Sequence, residues 1–315
     1  MVSSKTLHIG YLAAALLLLT AAGCKKFDGD VTRPAWVHLD RMEVVRAASG
    51  DNERASGWFT HDIDGVELIA HMQGSNKEES WGTYQLPCQA PVMRDGVAEY
   101  IILRPVVKQN GIAGTRINYT CMQSDTMRNV RITPGQTTYL GVYDSASGTS
   151  VSTVNYRSNR YVQELYFENF EPLATTIRLT PDTVEWITND TAGARSGSGY
   201  ARIATHAEGN GTYFEIIDSM VVTDPGKFLY LEMDYRTDVE FRIGLRCPLV
   251  NGGNDYTYYA INLYPRENWT KIYINLGKLW GQMNHYNTFH VVFQTLNKTQ
   301  QEGYTYIDNL KLICW

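Results

Sequence analysis

The chain has 315 residues, 43% of them hydrophobic, and its formal net charge at pH 7 is −5. This length is enough for one large or two ordinary domains, and the negative charge argues against a nucleic-acid partner, which a basic surface would bind. The 21 Tyr and 7 Trp residues favour β-strands, and exposed aromatic side chains would also suit a protein interface or a sugar site.

The N-terminus has the organisation of a secretory leader. Lys5 precedes an apolar run over residues 9–19, which is shorter than the roughly 20 residues of a membrane-spanning helix. Small residues then lead to Cys24 in the segment Leu-Thr-Ala-Ala-Gly-Cys. This segment resembles a bacterial lipobox, in which the cysteine receives acyl chains such as palmitate and becomes the mature N-terminus. The alternative is an ordinary secretory signal in which Cys24 has no such role.

The lipobox interpretation predicts a signal peptide over residues 1–23 and a tether over residues 24–33. Several acyl chains on one cysteine anchor a protein durably, whereas a single chain does not. Asp28 and Asp30 resemble the acidic surface-export signal of Bacteroidota lipoproteins, but two lysines precede them. We therefore predict a lipid-anchored protein of the outer membrane, on either its surface or its periplasmic face.

The first half of the mature chain has the pattern of strands. Ala35, Val37 and Leu39 alternate with polar or half-polar residues, as in a strand with one buried face. Turn signals at 64–65 and 95–96 separate apolar segments, and no helical period is present. We predict a compact β-sandwich of immunoglobulin-like size over residues 34–157.

The second half, residues 161–315, predicts about nine strands at regular spacing, enough for two antiparallel sheets. Its first and last strands are strongly apolar and are expected to pair with each other. The count and length suit a jelly roll, so the predicted fold class is all-β, with an immunoglobulin-like sandwich followed by a jelly-roll sandwich. The predicted strands are 165–171, 200–204, 213–217, 228–235, 239–247, 256–264, 271–276, 289–296 and 304–314.

Four cysteines remain after lipidation, two in each predicted domain: Cys88 and Cys121, then Cys247 and Cys314. Four cysteines allow three pairings, and an oxidising compartment permits disulfides within each domain. Alternation over residues 239–247 points Cys247 toward the core, so the second pair is either a disulfide or two buried thiols. None of the four has a neighbouring cysteine at CxxC spacing, which argues against redox or zinc chemistry.

Short motifs in both halves support a family resemblance. The segments 82–87, 95–96 and 110–116 resemble uncharacterised Bacteroidota lipoproteins with a PEGA-like or immunoglobulin-like N-terminal domain. In that family the second half begins with Phe-Glu-x-Phe-Glu and ends in Tyr-Ile-Asp-Asn-Leu, which here are residues 167–171 and 306–310. This half also resembles galactose-binding-like and carbohydrate-binding jelly-roll modules. The resemblance implies fold and location more than activity.

Five Asp-Ser or Asp-Thr pairs, each followed by an apolar residue, resemble the O-glycosylation pattern of Bacteroidota. Such pairs also favour turns. We expect some of them to carry glycans, provided that they lie on exposed loops. The triplets begin at Asp125, Asp144, Asp182, Asp190 and Asp218.

Catalytic motifs are absent from the sequence: it has no HExxH, Gly-x-Ser-x-Gly, phosphate-loop or dinucleotide pattern.

Asp308 falls in one register with Leu310 and Leu312, which would point it inward, and a buried carboxylate needs a partner or a metal. Similar jelly rolls hold a structural calcium at their terminal strands, which makes Glu168 and Asp308 candidate ligands. The alternative is a bulge in which Asp308 caps a turn. No other cofactor is expected.

Aromatic residues suggest where a ligand would bind. Trp280 and Tyr286 lie in a predicted loop over 277–287, and Tyr258 lies on a neighbouring strand. Exposed rings on a rigid β scaffold can stack on sugar faces, although Trp280 could instead pack beneath its own loop.

We therefore predict a non-catalytic outer-membrane lipoprotein that binds a glycan or a protein ligand through its jelly roll. One alternative is an accessory subunit of an outer-membrane assembly, secretion or uptake complex, which an exposed apolar patch would favour. Another is a glycoside hydrolase, which would need two carboxyl groups about 5–10 Å apart in a cleft.

Overall fold

The computed structural model describes most of the chain beyond the leader. The predicted signal peptide, Cys24 and the predicted tether up to residue 32 lie outside the described residues. In the described part, no helix has the length and apolar character to cross a membrane. The described residues are 33–45, 59–156, 163–172, 179–180, 184–205, 211–222, 228–248, 255–283, 286, 288–296, 298 and 302–314.

The predicted all-β class is confirmed, because the described chain is built from strands with one short helix. The strands of the first half are β1 (Ala35–Leu39), β2 (Arg41–Val44), β3 (Ile63–Met72), β4 (Glu78–Gln85), β5 (Cys88–Val92), β6 (Gly96–Lys108), β7 (Arg116–Asn118), β8 (Asp125–Ile132), β9 (Thr137–Tyr139), β10 (Val142–Asp144) and β11 (Thr149–Val154).

These strands form a sandwich around one core. The larger layer has the order β4-β3-β6, with β7 and β8 paired to different parts of β6, and the smaller sheets have the orders β5-β1-β9 and β10-β11-β2. The alternation predicted for β1 is confirmed, since Ala35, Val37 and Leu39 are fully buried. They pack with Leu68 of β3 and Ile101 of β6.

Two short strands, β9 and β10, follow each other closely along the chain. Gly141 separates them with φ at 77°, a backbone conformation that other residues rarely adopt. A Cβ at Gly141 would lie 2.3 Å from the carbonyl oxygen of Val151, so the close approach of β11 also requires glycine.

The second half contains ten described strands and the short helix. These are β12 (Gln163–Glu168), β13 (Glu185–Ile187), β14 (Tyr200–Thr205), β15 (Tyr213–Glu215), β16 (Leu229–Thr237), β17 (Glu240–Cys247), β18 (Tyr256–Leu263), β19 (Arg266–Asn275), α1 (Gly277–Gln282), β20 (His290–Leu296) and β21 (Gly303–Cys314).

Two antiparallel sheets pack face to face in this half. The six-stranded sheet has the order β13-β14-β21-β16-β19, with β12 also paired to β21, and the four-stranded sheet has the order β15-β20-β17-β18. The predicted pairing of the first and last strands is confirmed, because Phe167 of β12 lies opposite Lys311 of β21. The sheets enclose a second core, to which Phe241, Phe293 and Leu312 contribute.

A bulge in β21 corrects the predicted register of Asp308. Leu310 and Leu312 point into the core as expected. Asn309 has φ at 51°, and the pairing of β21 with β16 shifts by one residue at this point. A one-residue shift moves a side chain to the opposite face of a sheet. Asp308 therefore faces away from the core, opposite Asp234.

The outer face of the six-stranded sheet is covered by the N-terminal sandwich. Tyr230, Tyr273 and Ile313 of this sheet belong to the N-terminal core rather than to the jelly-roll core. The Asn110 backbone N–H donates to the carbonyl of Tyr273 over 2.8 Å, and the Asn275 backbone N–H donates to the Asn110 side chain over 2.9 Å. The two halves therefore share packing and backbone hydrogen bonds.

Glu232 is the centre of a buried ionic cluster at this junction. Its two carboxylate oxygens accept hydrogen bonds from Tyr119 over 2.6 Å and from Tyr156 over 2.7 Å, both of the N-terminal half. Lys311 lies 3.0 Å from the same carboxylate. Burial alone would raise the pKa of Glu232, but Lys311 and Lys271 outweigh it and lower that pKa. Glu232 is therefore ionised, and it joins the two halves.

Asp234 extends the cluster along β16. It accepts hydrogen bonds from Thr60 over 2.6 Å and from Asn309 over 3.0 Å, and Lys271 lies 3.5 Å away. Thr60 belongs to the N-terminal half, so this carboxylate also spans the junction. The charges of Glu232 and Asp234 are balanced by two buried lysines, as buried charges require.

Of the two alternatives for the cysteines, the disulfides are contradicted, because all four cysteines are buried thiols. Cys247 and Cys314 end β17 and β21, which lie in opposite sheets of the jelly roll. Cys88 lies on β5, whereas Cys121 follows β7 of the facing layer. The predicted inward direction of Cys247 is confirmed.

Candidate functional site

The outer face of the four-stranded sheet is the candidate site, and we call it the open face. Strand β17 supplies its centre. Phe241, Ile243 and Leu245 point into the core, so the alternating Arg242 and Arg246 point outward, where they are half-buried. Cross-strand pairing then sets their neighbours. The open face consists of Tyr213, Glu215, Arg242, Gly244, Arg246, Thr257, Tyr259, Asn262, His290, Val292 and Gln294.

One hydrogen-bonded network surrounds Arg242. The guanidinium donates through Nε and Nη2 to Gln294 Oε1 over 3.0 and 2.6 Å. The hydroxyl of Tyr259 donates to the same oxygen over 2.7 Å. The guanidinium also lies over the Tyr259 ring, 3.8 Å from its centroid, which is a favourable cation–π distance. Three side chains from three strands are thus fixed in one orientation.

A second network surrounds Arg246. Its Nε and Nη2 donate to the two oxygens of Glu215 over 2.8 and 2.7 Å, a bidentate geometry, and its Nη1 pairs with Asp255. The Tyr213 hydroxyl donates to Glu215 over 2.9 Å. Burial would raise the pKa of Glu215, but Arg246 and Tyr213 together lower it. Glu215 is therefore a fixed anionic acceptor.

Gly244 lies between the two arginines. A Cβ there would lie 1.9 Å from the carbonyl oxygen of Tyr258 and 2.7 Å from the Cα of Tyr259. The pairing of β17 with β18 also shifts at this residue. The missing side chain therefore lets β18 approach closely and leaves room on the open face between the two networks.

The open face carries the kinds of chemical group that can contact a sugar ring. A sugar ring has one or two faces of C–H groups and a rim of hydroxyl groups, each both a donor and an acceptor. The exposed ring of Tyr213 and the half-buried ring of Tyr259 can contact the C–H groups. The N–H groups that the two guanidinium groups have left can donate to ligand hydroxyls, and the remaining lone pairs of the Glu215 carboxylate can accept from them. The fixed geometry lowers the entropy lost on binding.

The predicted ligand-binding role of Trp280 is contradicted by its position. Trp280 belongs to α1 and is only 2% exposed. Its ring packs against Phe289 with a centroid distance of 4.7 Å, inside the jelly-roll core. The alternative, that Trp280 packs beneath its own loop, is the correct one, so its ring cannot stack on a bound sugar.

Tyr286 and Tyr258 do come together, with Tyr256 between them. Tyr256 is 6.3 Å from Tyr286 and 6.4 Å from Tyr258 between ring centroids. Tyr258 is 46% exposed, but Tyr286 is only 9% exposed. This cluster lies on the side of β18 opposite to Tyr259, because side chains alternate along a strand. It is a partly exposed edge of the core and adjoins the open face.

Most residues of the open face cannot be predicted from the sequence. The alternation in β17 already placed Arg242 and Arg246 outward, so that signal was available. Tyr213, Glu215 and Gln294 carry no signal of their own, since only the strand order β15-β20-β17 brings them beside the arginines.

The calcium hypothesis is not supported by the contacts of Glu168 and Asp308. Glu168 accepts a hydrogen bond from the Phe170 backbone N–H over 2.8 Å. Asp308 accepts from the backbone N–H groups of Arg195 and Ser196 over 3.1 and 3.2 Å. Both carboxyls thus bind amide donors of loops. Within the described ranges, no three His, Cys, Asp or Glu side chains are grouped so that they could hold a metal ion.

Asp308 is fully buried, and its surroundings disfavour its charge. Burial, together with the nearby Asp234, raises the pKa of Asp308 to about 8, although the loop amides oppose the shift. At neutral pH this carboxyl is largely protonated.

The glycosylation triplets lie in different surroundings. Ser145 is exposed in the turn between β10 and β11, and Thr191 is exposed in the turn before β14. Ser219 is exposed between β15 and β16, whereas Thr126 is exposed within β8 itself. The triplet at 182–184 lies partly outside the described residues. Ser145 and Thr191 meet the condition of an exposed turn most fully.

No family model matches the chain, and no curated protein matches it. Several solved carbohydrate-binding modules are similar to part of it. The family 11 module from Clostridium thermocellum, in complex with a β-1,3-1,4-mixed-linked tetrasaccharide, is 14% identical over 48% of this chain and 94% of the module, with a TM-score of 0.33. The family 30 module of a Clostridium thermocellum cellulosomal cellulase is 14% identical over 48% and 96%, with a TM-score of 0.34. A xylan-binding domain of family 22 is 12% identical over 47% and 93%, with a TM-score of 0.33.

Proposed function

We propose that this protein is a non-catalytic glycan-binding protein and that the open face binds the glycan. The observation that carries the proposal is the pair of fixed networks on either side of Gly244. Arg242 with Tyr259 forms one, and Arg246 with Glu215 forms the other. Together they offer aromatic, donor and acceptor groups to one ligand, as a polar saccharide requires.

The carboxyl groups argue against the hydrolase alternative. A glycosidase needs an accessible acid with a raised pKa and a second carboxylate beside it. Glu215 has a lowered pKa and is held by Arg246. Asp308 has a raised pKa but is fully buried behind the amides of Arg195 and Ser196. Neither of these two carboxyl groups is suited to protonating a glycosidic oxygen, which favours binding over hydrolysis.

Affinity electrophoresis against a panel of soluble polysaccharides tests the proposal. Tyr259→Ala and Arg242→Ala each disrupt the Arg242 network, and we expect each to weaken retention by about tenfold, given the value of one aromatic or charge-assisted contact. The matched controls are Tyr304→Ala and Arg202→Ala. Those residues form an equivalent pair on the six-stranded sheet, with the guanidinium 5.6 Å from the ring centroid.

Equal loss in the control and open-face variants would contradict the proposal, since it would place binding elsewhere or trace it to instability. Failure of the wild type to bind any polysaccharide in the panel would likewise contradict it.

The proposal includes a lipid anchor at Cys24 in the outer membrane. The support is the sequence of the leader and the lipobox resemblance. Cys24→Ala should move the protein from the membrane fraction to the soluble fraction, because the acyl chains attach to that thiol. A Cys24→Ala protein that still incorporates labelled palmitate would contradict it.

The intact mass of the purified protein would show whether Ser145 and Thr191 carry glycans.

Binding to a protein partner is a second candidate function, favoured by an exposed apolar patch on the N-terminal sandwich. Val142 is 75% exposed, Tyr143 is 44% exposed and Tyr139 is 38% exposed. The two tyrosine rings stack with a centroid distance of 4.1 Å. An accessory subunit of an outer-membrane complex would use such a patch. A pull-down from solubilised membranes should lose its partner with Val142→Asp and keep it with Tyr259→Ala.

A further inference from the structure

A cavity of about 450 Å³ opens at the junction of the two halves. One wall is the hairpin of β18 and β19, and the other is the segment Lys108–Ala113 of the N-terminal sandwich. We call it the junction cleft. Its size lies within the range of small-ligand pockets in proteins, about 300–1,000 Å³. Both halves form its walls, so neither would form it alone.

The floor and the mouth of the junction cleft differ in character. Ile261 and Ile272 form an apolar floor together with Tyr235, which is 4% exposed. Tyr264 lines the mouth and is 64% exposed. A pocket with an apolar floor, an aromatic side chain at its mouth and a few charged groups suits a small amphipathic molecule.

The charges at the mouth are not balanced. Lys108 lies 3.1 Å from Asp64 and 3.9 Å from Asp62, and Arg116 lies 2.9 Å from Asp64. Two carboxylates are thus already shared by two cations. Lys271 also lines the cleft, but it is buried and paired with Glu232 and Asp234. Arg266 interacts with the Tyr235 side chain and, among the described residues, has no carboxylate partner. An anionic group entering the cleft would meet Lys108 on one wall and Arg266 on the other.

Strand β18 connects the junction cleft to the open face. Asn262 lies opposite Arg242 on the open face and also lines the cleft. A saccharide chain lying across the open face toward this edge would therefore reach the mouth of the cleft with its next residues.

From this geometry we infer that the junction cleft is a second ligand site, which binds the carboxylated sugar, a uronate, of an acidic glycan. Arg266 and Lys108 bind the carboxylate, Tyr264 contacts the sugar ring, and the apolar floor receives its C–H face. The inference takes its ligand class from the proposed function, and it adds the acidic character of the glycan and a site at the domain junction.

The test is an NMR titration of the undivided protein after removal of the predicted signal peptide. D-galacturonate and D-galactose are titrated separately. These sugars differ at carbon 6, which is a carboxylate in the first and a hydroxymethyl group in the second. We expect galacturonate to bind at least about tenfold more tightly, because charge-assisted hydrogen bonds are about twice as strong as neutral ones. Added salt should weaken galacturonate binding only.

Variants separate the two sites. Arg266→Met should abolish the preference for galacturonate, and Arg266→Lys should keep part of it because the charge remains. Tyr259→Ala, on the open face, should leave the preference unchanged. Arg266 is exposed, so both variants should fold, and an unchanged melting temperature would confirm it.

Equal binding of the two sugars, or a preference that survives Arg266→Met, would overturn the inference. Polysaccharide retention that is lost in Tyr259→Ala would meanwhile uphold the proposed function. Conversely, galacturonate binding that depends on Arg266, in a protein that retains no neutral polysaccharide, would uphold the junction cleft and reject the open face.

Discussion

At the scale of single residues, burial determines the chemistry of Asp308. Its carboxyl has a pKa of about 8 in the folded protein, against an ordinary value of 3.8, chiefly because of burial. The folded state therefore holds the proton more tightly than the unfolded state does. The resulting stabilisation is complete below about pH 4 and is lost as the pH rises toward 8.

Asp308→Asn should remove this pH dependence. The amide oxygen can still accept from Arg195 and Ser196, but it has no proton to lose. We expect the melting temperature of the wild type to fall relative to that of the variant between pH 5 and pH 9. Thermal unfolding at pH 5, 7 and 9 measures the difference. Two curves that stay parallel across this range would show that Asp308 does not titrate there.

The buried ring of Trp280 contributes to the stability of the jelly roll. Because its ring fills the jelly-roll core beside Phe289, Trp280→Ala should cost about 3–5 kcal/mol of stability, the usual range for a large buried ring. Urea unfolding measures the loss, and Trp280→Phe should recover part of it. Glycan retention per folded molecule should not change, whereas a selective loss of retention would restore Trp280 as a ligand residue.

At the scale of elements, the sequence predicts what depends on alternation alone. In β1 and β17 the apolar residues recur at every second position, so the sequence predicts which side chains point into the core and which point outward. The pairing of β12 with β21 was also correct. Alternation does not predict the bulge at Asn309, because β21 would bury apolar residues with or without the one-residue shift. The open face required the order of the strands, which depends on tertiary packing.

Gly244 allows the edge strand β18 to lie close to β17, which positions Tyr259 on the open face. In Gly244→Ala the new methyl group would overlap the backbone of Tyr258 and Tyr259, so β18 would have to move away from β17. We expect a lower melting temperature together with weaker glycan retention, because Tyr259 would lose its position over Arg242. Gly114→Ala is the control, since nothing lies within 4 Å of its added Cβ. Full retention in Gly244→Ala would mean that β18 tolerates the shift.

At the scale of the whole molecule, the ionic cluster makes the two halves interdependent. Glu232 binds two tyrosine hydroxyls of the N-terminal sandwich and a lysine of the jelly roll. We therefore expect the wild type to unfold in a single transition rather than two. The sequence predicts two separate domains, because alternation indicates which residues are buried in each half. It does not indicate that the outer face of the six-stranded sheet is covered by the other half.

Glu232→Ala should destabilise the protein by about 3–5 kcal/mol, because it leaves a buried lysine without its partner. Calorimetry should also show the single transition separating into two. Asp95→Ala is the control, since its pair with Arg131 is exposed on both sides and should change stability by less than about 1 kcal/mol. A Glu232→Ala protein that unfolds in one transition at an unchanged temperature would contradict the interdependence of the halves.

The covered sheet also matters for experiments that divide the protein. A fragment beginning near residue 161 would uncover the outer face of the six-stranded sheet. Glu232, Asp234, Lys271 and Tyr273 would then meet solvent together. Such a surface would itself resemble a saccharide site, with carboxylates, ammonium groups and an aromatic ring. The isolated jelly roll would therefore present to sugars a face that the intact protein covers, so the proposed glycan binding has to be tested on the undivided chain.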